Sequence, residues 1–346
     1  MELRSVFPIL SVIGFYLLWV VMAQNGTIDA LDLVSKIGEY PNGRPLKTSY
    51  VGIPVVDSSI STLVAFTDSL TGGGDVACRL VMIDVVSTLQ TAGLWVIVES
   101  VRNGAGPLRI VLSSLWPLLW NGIGAGFILP IYYYVNLIGK NSHKKQVPRL
   151  KHAKAFLFTS IVALFLPAIF VLPPIEVPRS AEDNQTIAAL FQITPLIAAV
   201  LQTVIPLFMA SKPGAGRDEE KILLRRAYLF SAVFSATGHI YSLLTSIFSN
   251  DPAVTWYKVY FPSPSDVVPD SEWTIREGSL LFIKYDFIII NISSAIWLYL
   301  SLKPYLNMKT AFEKGSTMFL IILSTLAVGP GACVSWGLRL REDWIL

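Results

Sequence analysis

From Ile110 to Gly139 the chain carries no charged side chain, with Arg109 and Lys140 as the first charges on either side. At ~1.5 Å per helical residue, a helix over this stretch is longer than the ~30 Å core of a bilayer demands. It therefore has to tilt, kink or emerge, and Pro117 and Pro130 are the expected kink sites. Gly122, Gly124 and Gly126 strip side chains from its middle, which makes room for a neighbouring helix or a ligand. Asn121 beside them needs a hydrogen-bond partner in a dry setting. Trp116, Trp120 and Tyr132 to Tyr134 are aromatic enough to line a cavity or mark an interface. The stretch reads as a pocket wall inside a membrane, although a plain packing helix shares many of these features.

The rest of the chain agrees with a membrane setting. Of 346 residues, 53% are hydrophobic and 15% charged, against ~25% charged in an average soluble chain. The mean hydropathy is +0.56. A net charge of +3 spread over short connections excludes a nucleic-acid-binding face. Cys78 and Cys333 are far apart and have no metal-ligand spacing, so neither a disulfide framework nor a zinc site is expected.

The expected fold is an all-α polytopic transmembrane bundle of seven to eight spans. Residues 1–23 form a hydrophobic segment that reads as a span or a secretory signal. Residues 24–78 are polar and amphipathic, with 49–70 as a surface or partly inserted helix. Residues 79–346 hold seven apolar segments, at 79–99, 109–138, 153–173, 187–210, 227–248, 279–301 and 317–338, each long enough to cross a bilayer. Lys140, Lys144, Lys145, Arg149, Lys151 and Lys154 crowd one connection, and Lys212, Arg217, Lys221, Arg225 and Arg226 another. Lys303, Lys309 and Lys314 mark a third. By the positive-inside rule these connections are cytosolic. That places the segment at 79–99 with its start in the cytosol and the C-terminus in the lumen, most naturally of the endoplasmic reticulum. Sequons at Asn25 and Asn184 make it a candidate glycoprotein. The aromatic 249–278 connection is expected to lie over the lumenal mouth, as a lid or along the interface.

Ionisable groups within spans cost ~2.5–3.5 kcal/mol each on insertion scales and point to function. The candidates are Asp286, Glu99, His239 and Asp84. Counting from predicted ends, Asp286, His239 and Glu99 fall on the lumenal side and share a chamber, whereas Asp84 lies toward the cytosol. Trp120, Asn121, Trp116, Trp95 and Trp297 are candidate substrate-binding residues. Bland roles compete: a histidine in a serine stripe often only bridges helices, and Lys284 could snorkel to the interface. No DDxxD run, P-loop, HExxH, CxxC or Gly-x-Ser-x-Gly is present, so metal-dependent ionisation, nucleotide hydrolysis and zinc proteolysis are poorly supported. Isolated carboxylic acids in an apolar, aromatic pocket suit proton donation and cation stabilisation over ring faces.

Three short motifs add a resemblance. Gly52-Ile53-Pro54 with Asp57, Leu63-Val64 and Phe66 comes first. Glu99-Ser100-Val101-Arg102 with Gly104 follows, then Trp120-Asn121-Gly122-Ile123-Gly124-Ala125-Gly126 with Pro130-Ile131-Tyr132. Residues 50–135 thereby resemble fungal integral-membrane cyclases of meroterpenoid and indole-diterpene pathways, the paxilline, ascochlorin and macrophorin types. The resemblance implies a terpene cyclase that works without metal or other cofactor on a lipophilic prenylated substrate drawn from the bilayer. The alternative is a small-molecule transporter or receptor-like protein with a proton-coupled site.

Overall fold

The computed structural model describes residues 3–72, 74–102, 106–139, 150–172, 179–209 and 217–344. Among the described residues all regular structure is helical, apart from one isolated β-bridge between Glu39 and Pro45. Helix α1 covers Leu3–Gln24, with a π-helical turn at Tyr16–Val20. Two shorter helices follow, α2 (Thr27–Ile37) and α3 (Pro54–Thr71), then the long α4 (Val76–Val101). Next come α5 (Pro107–Ser113), α6 (Leu115–Ile123), α7 (Ala125–Ile138) and α8 (Leu150–Val171). The chain continues through α9 (Ala181–Gln192), α10 (Thr194–Phe208), α11 (Arg217–Phe248) and the short α12 (Trp256–Tyr260). It closes with α13 (Thr274–Leu302), α14 (Ala311–Val328) and α15 (Pro330–Trp344).

Among the described residues six helices, α1, α4, α8, α11, α13 and α14, are long and apolar enough to cross a membrane. Helices α9 and α10, bent by 51°, make a seventh if they count as one span. Helix α4 has no distinct polar face and is buried along almost its whole length, at the centre of the bundle. Helix α1 is part of the same body, with Phe7 and Leu18 fully buried.

The expected span at 109–138 is not one helix. Pro117 and Pro130 sit inside α6 and α7 without ending them, and the break falls instead at Gly124, whose φ of +95° only glycine adopts readily. The chain descends from the end of α4 to Gly124, which packs on Asp286 midway along α13. It then climbs back alongside α13, where Tyr133 bonds Ser294 at 2.9 Å and Trp297 donates to Asn136 at 3.2 Å. Trp297 also stacks on Trp95 near the end of α4. The segment thus enters and leaves at one end of the bundle.

The expected span at 317–338 is likewise a hairpin, broken at Gly329 with φ +86°. Helix α15 runs back from Gly329 beside His239 to Asp343, which pairs with Arg225 at 2.7 Å, and Trp344, which meets Tyr305. These two hairpins correct the orientation. The C-terminal helix ends beside the basic connections, not opposite them. Residues before Arg79 lie at the other end, where Asp75 comes within 3.9 Å of Arg276. Lys140, Lys144, Lys145, Arg149 and Lys212 fall outside the described residues.

At that other end, α2, α3 and the 38–53 and 249–273 connections form a cap. Buried Asp68 is its hub: it accepts from Tyr40 at 2.9 Å and Asn184 at 2.6 Å, and pairs with Arg44 at 2.7 Å. Asn184 is therefore buried at a helix interface, bonded to Asp68 and Thr71. Asp57 accepts backbone N–H bonds from Tyr50, Val51 and Gly52 at 3.0, 2.8 and 3.0 Å. The Val51 bond, aided by the other two against the effect of burial, holds its carboxyl below the usual range.

Candidate active site

Beneath the cap lies a cavity of about 370 Å³, walled by α1 to α4, α6, α9 and α13. Asp286 is at its base, 2% exposed. Its carboxyl accepts the Gly126 N–H at 2.5 Å and a bond from Ala125, both in the first turn of α7. Those N–H groups have no partner within their own helix, and the positive end of the helix dipole faces the acid. Glycine eases this approach, since a Cβ on Gly126 would stand 3.1 Å from Asp286 Oδ1 and the carboxyl would have to give way by a few tenths of an ångström. On Gly124 it would stand 2.7 Å from Leu18. Among the described residues no cationic side chain pairs with Asp286.

Aromatic rings surround the acid. Phe282 lies one turn before Asp286 on the same face of α13 and meets Phe66 edge-on at 5.2 Å and Trp19 at 6.4 Å. Trp19 is set by its π-helical turn and donates to the Ile123 carbonyl at 2.9 Å, satisfying an end group of α6. Trp120 and Asn121, both expected from the sequence, complete this wall.

The other expected site residues are elsewhere. His239 and Asp84 face one another, His239 Nδ1 to Asp84 Oδ2 at 2.7 Å, and the Tyr260 hydroxyl donates to the same oxygen at 3.0 Å. They meet because α4 starts at the capped end, opposite to the direction expected. Neither lines the cavity. Glu99 is at the far end of α4, 3.1 Å from Arg102 and 2.6 Å from Arg341, with Glu342 2.5 Å from Arg102. The expected shared chamber of Asp286, His239 and Glu99 is thus three separate places. Trp95, Trp297 and Tyr133 form a buried stack, and Trp116 packs edge-on against Tyr132. None of these five lines the cavity, and Tyr132 and Tyr133 are core, not interfacial belt.

Sequence reasoning passed over Trp19, Phe191, Gln192 and Phe282 as wall residues. Phe282 had a signal, its i–4 spacing from Asp286, whereas Trp19 lay in a segment that also read as a cleavable signal. The cover over the cavity is α2 and α3; no residue of the 249–273 connection lines it. That connection instead sits on α4 through Tyr260.

The chain is similar to several curated proteins over most of its length. Terpene cyclase DEP1 of Alternaria brassicicola is 26% identical, with 98% of each chain covered. Terpene cyclase alnG of Emericella nidulans is 23% identical over 96% of this chain and 92% of its own. Terpene cyclase atmA of Aspergillus flavus is 20% identical over 85% and 84%. No solved structure matches. The CtvD domain matches residues 3–346, and the chain belongs to the CtvD-domain family.

Proposed function

We propose that this protein is a membrane-embedded terpene cyclase of fungal secondary metabolism. Its substrate is a lipophilic, prenylated molecule of the meroterpenoid type, taken from the bilayer. Asp286 protonates an alkene or epoxide of that substrate, and the resulting carbocation cyclises against the rings of Trp19, Phe66, Trp120 and Phe282. The observation that carries this reading is a buried carboxyl without a cationic partner, facing an aromatic cavity.

The surroundings of Asp286 suit an acid that gives up a proton. Apolar walls disfavour charge there, while the Gly126 and Ala125 N–H groups accommodate the carboxylate as it forms. Ring faces stabilise positive charge by about 0.5–2 kcal/mol each, more where water is excluded. The half-buried Asn121 is placed to orient a polar group of the substrate. Asp84, His239 and Glu99 hold helices together in this reading. No step is assigned to a metal. The basic end faces the cytosol, which puts the cap and the cavity mouth on the lumenal side of the endoplasmic reticulum.

The test is direct. Microsomes or nanodiscs carrying the chain should convert terminally epoxidised or plain farnesyl- and geranylgeranyl-bearing phenols into cyclic isomers, equally well after treatment with EDTA. A panel that yields no cyclic product sinks the reading, and loss of activity with EDTA sinks its metal-free step.

A further inference from the structure

Among the described residues the cavity has two ionisable groups in its lining, Asp286 and Asp32. Asp286 lies twelve residues into α13, roughly 18 Å along the helix from the capped end at ~1.5 Å per residue. Asp32 is on α2, within the cap itself. Ile28, Leu31 and Asp32 all line the cavity, and their i, i+3, i+4 spacing puts them on one helix face. A carboxylate thus interrupts an otherwise apolar lining stripe. Its outer side reaches solvent, with a side chain 56% exposed and Lys36 2.5 Å from Oδ2. Thr62 and Gln192 add further polar groups to the lining, whereas the rings gather around Asp286.

We propose that Asp32 is the terminal base of the cyclisation, the group that removes the last proton. This rests on the cyclase reading above. Initiation breaks the O–H bond of Asp286 and forms a C–H bond at the alkene, or an O–H bond at the epoxide, which opens. The cation travels along the chain as C–C bonds form. It ends when a C–H bond beside the last cationic carbon breaks: the electron pair becomes a new C=C bond and the proton passes to the Asp32 carboxylate. Asp32 then loses that proton to water on its exposed side, and Asp286 regains one from water as product leaves. The substrate accordingly lies with its prenyl terminus deep and its polar head at the cap.

The experiment uses the full chain in nanodiscs and a terminally epoxidised farnesyl phenol, with products separated by mass and identified by NMR. Wild type should give mainly an alkene isomeric with the probe. Asp32→Asn should lower kcat about 10²-fold, the lower end for a proton-transfer group, and shift product toward the cyclic diol, in which water has captured the cation and which is no longer isomeric with the probe. Asp32→Glu should restore the alkene. Asp29→Asn, an exposed residue of the same helix that does not line the cavity, should change neither rate nor product. A merely structural role for Asp32 would not move the alkene-to-diol ratio. If Asp32→Asn accumulates poorly, Asp32→Ser is read in the same way. An unchanged rate and ratio in an active background overturns this inference alone. A wild type inert on every prenylated probe overturns the cyclase reading and this inference with it.

Discussion

Asp286 and Glu99 are both buried carboxyls on the two long helices at the heart of the bundle, and their surroundings are opposites. Glu99 belongs to a knot of two glutamates and two arginines, with Arg102, Arg341 and Glu342 each fully or almost fully buried. The four charges cancel, and none of them lines the cavity. Among the described residues Asp286 has only backbone N–H donors, and the cavity lies beside it. A buried acid neutralised by arginines is a fastener. One left without a cation next to a cavity is a candidate reagent, and the depth of either in the membrane does not distinguish them.

The largest effect should come from removing the unneutralised acid. Asp286→Asn should lower turnover about 10²–10⁴-fold, the usual range for a general acid, while the melting temperature in detergent stays close to wild type. Surviving turnover would erase the contrast. Glu99→Gln should do the reverse. It leaves buried guanidinium charge short of its counter-ion, a loss of about 3–5 kcal/mol in comparable cases, seen as a lower melting temperature. Turnover per folded molecule should hold. If Glu99→Gln is instead fully stable and inactive, the assignments are exchanged.

A third carboxyl, Asp57, sharpens the comparison from outside the spans. Its folded value is depressed by the Val51, Tyr50 and Gly52 N–H groups. The stability it contributes is therefore complete above the range of an unfolded aspartate and lost as pH falls through the depressed folded value. Limited proteolysis of the 38–53 connection should quicken in acid for wild type. Asp57→Asn should be quicker at neutral pH and nearly flat in acid. This is the smallest of the three effects, because the connection is at the surface and the spans do not depend on it.

The three motifs that carried the resemblance do three different jobs, and this bounds what could be read beforehand. The segment from Trp120 to Gly126 is the cavity wall and the donor of the Asp286 bonds, as its glycines and aromatics suggested. Asp57 pins a surface connection, and Glu99 with Arg102 ties α4 to the last helix. Helix class, and the position of Asp286 inside an apolar helix, were legible because each depends on local composition. The partnership of Asp84 with His239 was not, since it depends on the direction in which α4 runs. That direction turned on whether 109–138 crosses or folds back. Hydropathy has the same value for both outcomes, and the deciding feature is one positive φ at Gly124.

The bond from Gly126 to Asp286 joins residues 160 positions apart, and this has a consequence for how the protein is made. During synthesis the hairpin of α5 to α7 enters the membrane long before α13 exists. Until then the Gly126 N–H lacks the carboxyl it binds in the finished fold, and the cavity lacks its deep acid. A nascent chain halted before α13 should hold that hairpin loosely, and arrival of α13 should lock it. Assembly of the fold and completion of the candidate reagent are then a single event, late in the life of the ribosome-bound chain.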